Sequence, residues 1–61
     1  MTVFQALLSS PRPLTAMRIS RELGMAIETV YGQLVSLEAR GLAQPINLYG
    51  RFPGWIVLGA R

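Results

Sequence analysis

The sequence predicts an α+β fold of three helices followed by a two- or three-stranded β-hairpin sheet, on three observations. Up to Arg40 the apolar residues recur at helical spacing. Gly24 and Gly41 punctuate that pattern where helices should stop. Beyond Leu42 the pattern turns extended, with Trp55 on the return strand. At 61 residues the chain is read as one domain, residues 1–61. A chain this short buries about 60% of its unfolded surface and has no material for a second core.

Thr2 is placed to cap a first helix running through Val3, Phe4, Ala6, Leu7 and Leu8, with Val3, Phe4, Leu7 and Leu8 forming its core face. Ser9-Ser10-Pro11-Arg12-Pro13 ends it, because proline has no N–H to donate and pushes the residue before it toward extended geometry. Leu14 follows in a short extended piece that is free to pair with the later hairpin. Thr15 then caps a second helix, Ala16 to Leu23, with Ile19, Leu23 and either Ala16 or Met17 on its apolar stripe. Gly24 supplies the left-handed backbone of a tight helix-helix turn. A third helix from about Ile27 to Arg40 places Val30, Leu34 and Leu37 inward at i, i+4, i+7, with Ile27 on the shoulder and Gly41 closing it. Arg40 in its last turn suits the negative end of the helix dipole. One strand is expected over Leu42–Leu48 and its return over Trp55–Leu58, joined through Tyr49–Gly54. Pro45 confines the first strand to an edge or a bulge.

Composition narrows the function. There is no Cys, His, Asp or Lys, so the usual nucleophiles, general bases and metal ligands shrink to Glu22, Glu28, Glu38, the hydroxyls and two tyrosines. The chain is read as no enzyme, with no cofactor and no evident small-molecule ligand. The apolar run Trp55–Ala60 falls far short of the ~20 residues that cross a bilayer, so no membrane partner is expected and a cytoplasmic setting is the default. The net charge of +3 comes wholly from Arg12, Arg18, Arg21, Arg40, Arg51 and Arg61, and the pI is near 10.7. That balance fits a polyanion partner, although three excess charges also serve plain solubility. Hydrophobic residues make up 51% of the chain, enough to leave some outside the core and to favour a homodimer.

The stretch IETVYGQLVSLEARGLAQ, and more broadly Leu14 to Leu58, resembles the bacterial winged helix-turn-helix regulators of the MarR and PadR types. The resemblance implies a small DNA-binding protein, a transcriptional regulator or a phage or plasmid control factor, with double-stranded DNA as partner. It implies a third helix inserted in the major groove. At 100° per residue the outward side of that helix carries Glu28, Thr29, Gly32, Val35, Ser36 and Ala39, with Tyr31 on the flank. Thr29, Gln33 and Ser36 would then supply hydrogen bonds, Tyr31 a phosphate contact and Glu28 a contact to a cytosine amino group. Arg18 and Arg21 of the second helix would meet phosphates, and Arg51 at the wing tip an adjacent minor groove or phosphate.

The chain departs from that pattern at Gly32, where such regulators often carry a basic residue, and no cation lies between Ile27 and Ala39. Gly32 is either a close-approach point or a tolerated glycine. Arg18 has an alternative partner in Glu22 at i+4. The Pro-x-Trp wing is similar to that of Z-DNA-binding winged helices, but the positions holding Lys, Asn and Tyr there fall on Ile27, Tyr31 and Val35, so that specialisation is rejected. Trp55 is read as a core plug of the wing against the third helix. The competing function is a protein-interaction module that docks through Ile27, Tyr31 and Val35.

Overall fold

The computed structural model describes residues 1–47 and 52–58. Its elements run α1 (Val3–Ser9), β1 (Leu14–Thr15), α2 (Ala16–Leu23), α3 (Ile27–Ala39), β2 (Ala43–Ile46) and β3 (Gly54–Val57). The strands form one antiparallel sheet in the order β1-β3-β2. This is the α+β winged helix-turn-helix arrangement.

Local chemistry sets each boundary. Thr2 and Gln5 form a reciprocal capping box at the start of α1. Its buried face is Val3, Ala6 and Leu7, whereas Leu8, expected inward, is 50% exposed. Five residues from Val3 is about 140° of turn, so Leu8 rotates off the stripe that Ala6 shares. In the connection to β1, the Ser10 hydroxyl donates to the Arg12 carbonyl and accepts from the Arg12 N–H.

Thr15 ends β1 and caps α2, its Oγ1 accepting from the Arg18 N–H at 3.1 Å. Ala16 faces inward rather than Met17, which is 54% exposed. Gly24 at φ 66° closes α2, and the Ser20 hydroxyl donates to the Met25 carbonyl at 2.7 Å, tying the inter-helix turn to the helix before it. Gly41 at φ 76° closes α3 in a Schellman arrangement: the Leu42 N–H reaches Leu37 O and the Gly41 N–H reaches Glu38 O, both at 2.9 Å. Arg40 therefore stands at the C-cap, one residue past the helix.

The same Leu42 N–H is spent on α3, so β2 begins at Ala43 rather than Leu42. Pro45 lies on the outermost strand, opposite Trp55, where a missing donor faces no neighbour. β3 starts at Gly54, which pairs with both Thr15 and Ile46, and the Leu58 N–H to Leu42 O bond continues the ladder past its end. Val3, Leu7, Ile19, Val30, Leu34, Leu37, Ala43 and Trp55 make one core shared by every layer.

Candidate nucleic-acid interface

α2 and α3 meet across a three-residue connection, Gly24, Met25 and Ala26, and this fixes which sides of each helix remain free. On α2, Ile19 is fully buried, while Arg18 and Arg21 are exposed. Met17 reaches toward α3 and lines a surface groove with it. At 100° per residue Arg21 stands about 40° from Met17, and Arg18 about 100°. Arg21 thus belongs to the α3 side of α2. Arg18 turns further away and pairs with Glu22, Nε to Oε2 at 2.7 Å, the alternative its spacing offered. Both partners are largely exposed, and such a surface pair is worth only about 0.3–0.5 kcal/mol, little enough to be exchanged for a phosphate.

On α3, Val30, Leu34 and Leu37 are buried and every other residue from Ile27 to Ala39 is exposed. The free surface divides lengthwise. Thr29, Gln33 and Ser36 recur at i, i+4, i+7 along a polar flank. Ile27, Tyr31 and Val35 recur at i, i+4, i+8 along the opposite, apolar flank and are 41%, 53% and 43% exposed. Glu28 occupies the first turn, where the helix dipole favours a carboxylate. Gly32 is open: a Cβ there would meet nothing within 4 Å, so no intramolecular packing requires glycine.

The apolar flank faces the wing. Trp55 is 3% exposed and packs in the core, and Tyr31 meets its ring edge-on, with centroids 6.4 Å apart and planes at 86°. Among the described residues the Trp55 Nε1 is buried without a hydrogen-bond partner. Ile27, Tyr31 and Gly32 form one wall of an apolar groove of about 600 Å³, with Met17 of α2 and Phe52 and Pro53 of the wing around it. Among the described residues Glu28 is the one charged side chain lining it.

Of the residues named from the sequence, Glu28, Tyr31 and Gly32 line the groove, Thr29, Gln33 and Ser36 lie on the far flank of the same helix, and Arg21 is exposed on α2 without lining the groove. Arg18 stands apart with Glu22, and Arg51 lies outside the described residues. Three participants escaped the sequence reading. Ser20 locks the turn, and a hydroxyl on the inner half of α2 was the available signal. Phe52 and Pro53 line the groove, which depends on how the wing folds back and leaves no local trace. No group of metal-ligating side chains and no helix long and apolar enough to cross a membrane occurs among the described residues.

No curated protein matches the chain. The family model of the IclR helix-turn-helix domain matches residues 1–45, which takes in all three helices and stops inside β2. The likeness to MarR and PadR regulators holds at the level of the shared winged helix-turn-helix. With three quarters of its length matched, and with the helix-turn-helix and sheet in place around it, this chain belongs to the IclR helix-turn-helix domain family, the DNA-binding type of domain found in transcriptional regulators.

Proposed function

We propose that the chain works as a single sequence-selective DNA-binding domain whose α3 lies in the major groove while α2 grips the phosphates beside it. The observation that carries this reading is the outer surface of α3, exposed everywhere but at Val30, Leu34 and Leu37, behind a helix that carries the exposed cations Arg18 and Arg21. Arg21, and Arg18 once released from Glu22, neutralise phosphates; Thr29, Gln33 and Ser36 offer hydrogen bonds to base edges, Glu28 an acceptor for a cytosine amino group, and the Tyr31 hydroxyl a phosphate contact. Gly32 lets the duplex approach the helix backbone. Arg51 of the wing adds a further phosphate or minor-groove contact, as the resemblance implies. A homodimer is part of the proposal, supported by the exposed Met1 just before α1 and Leu8 on it. Paired copies would set two α3 helices on successive turns of the duplex.

Titrating a fluorescent random-sequence duplex at low and then moderate salt tests this. Binding that weakens steeply as salt rises is expected, since phosphate contacts supply the affinity. The apolar groove favours a second reading, a winged helix that docks on protein. An absence of duplex binding at low salt would replace the first reading with that one.

A further inference from the structure

The reading surface of α3 has an unusual chemistry for a helix that meets DNA. It holds no cation, and along its apolar flank stand Ile27 and Tyr31, which line the groove, and Val35 one turn beyond them, each at least two fifths exposed. Water-exposed apolar area of this kind is costly to maintain and is relieved by an apolar partner. The three form one row at successive turns, continued by Met17 of α2 on the other side of the groove. On the major-groove edge of duplex DNA the one apolar feature is the methyl group at pyrimidine C5, present on thymine and on 5-methylcytosine. The other major-groove groups are hydrogen-bond donors and acceptors, or ring C–H that projects far less than a methyl.

Resting on the DNA-binding reading given above, we infer that Ile27, Tyr31 and Val35 recognise pyrimidine 5-methyl groups, so that α3 selects its site by burying methyls rather than by cation-to-guanine contacts. Gly32, one position beyond Tyr31, leaves open space beside the row, so a base edge reaches these side chains without meeting a Cβ. Glu28 beside the row sets the sign of the discrimination. A carboxylate repels the two adjacent acceptors of guanine, O6 and N7, more than the single acceptors of adenine (N7) and thymine (O4), and it accepts from the amino groups of adenine and cytosine. The wall thus disfavours guanine and rewards methyl-bearing pyrimidines.

The test compares duplexes that differ by the methyl alone. Fluorescence anisotropy at low salt would measure the intact protein on an alternating dA-dT duplex and on its dA-dU counterpart, which keeps the phosphates and the pairing. An alternating dG-dC duplex would be run with and without cytosine C5 methylation. Burial of one methyl corresponds to about a fourfold gain in affinity, so the thymine duplex should bind at least about fourfold more tightly than the uracil duplex. A matching gain on cytosine methylation would extend the recognition to 5-methylcytosine, and a gain with thymine alone would restrict it to thymine. Val35→Ser should move the thymine-to-uracil ratio toward one. Equal affinity for the thymine and uracil duplexes overturns the inference and leaves the DNA-binding reading standing. Failure to bind any of the four overturns that reading, and the inference with it.

Discussion

The two helices of the turn are built in opposite ways. α2 is short, eight residues, held at its start by the Thr15 side chain and at its end by a left-handed glycine, and it carries Arg18 and Arg21. α3 has thirteen residues, begins at Ala26 with no side-chain cap, and carries no cation. Local bonds fix α2. Packing fixes α3, through Val30, Leu34 and Leu37 inward and Tyr31 against Trp55. The difference teaches that the charges are divided: the locally determined helix presents the cations, and the tertiary-determined helix presents a surface free of charge except for Glu28 and Glu38.

Substitutions that strike one helix's means of support and spare the other's would break or sharpen that contrast. Leu34→Ala removes a fully buried side chain from α3 and should cost about 2–5 kcal/mol, a large share of the stability of so small a domain. Loss of the cooperative melt by circular dichroism at modest temperature is the expected result.

The glycines come next, with opposite signs. Gly24→Ala forces a Cβ into left-handed backbone and should destabilise by about 1–2 kcal/mol, although no neighbour obstructs it. Gly32→Ala has regular helix and open space around it, and should stabilise by up to about 1 kcal/mol. If Gly32 is a point of close approach, the same change weakens duplex binding while raising the melting temperature. A gain in both would make it a merely tolerated glycine.

Capping gives a smaller, paired effect. Thr15→Ala should cost about 1 kcal/mol by orphaning the Arg18 N–H, and Ala26→Ser should add about as much to α3 by supplying the acceptor that it lacks. Chemical denaturation of both variants checks the pair. Smallest of all, Glu22→Gln should shift stability by no more than about 0.5 kcal/mol, because the Arg18–Glu22 pair is exposed. The same substitution frees Arg18 and should tighten duplex binding.

Much of this was legible from the chain. Thr2, Thr15, Gly24 and Gly41 act through bonds within a few residues of themselves, so each helix end could be read locally. The inward rows of α2 and α3 followed from spacing, and Pro45 on an edge strand followed from its missing donor. Leu8 and Met17 were harder, because a neighbour on the same helix offered the core an equally apolar alternative and only the packed partners decide between them. The division of α3 into a polar and an apolar flank was implicit in its spacing. That the apolar flank is the one facing the wing became clear only when the sheet folded back and brought Phe52 and Pro53 to the groove. The roles of the α3 side chains toward DNA came from family resemblance rather than from local physics.

The central claim is that α2 grips a polyanion through the side it shares with α3. The slope of binding affinity against salt concentration, measured on one duplex for the wild-type protein and for Arg21→Gln, tests it most directly. The account predicts a slope reduced by about one unit, the signature of one phosphate contact removed. An unchanged slope would mean that Arg21 touches no phosphate, and would contradict the placement of the duplex across α2 and α3.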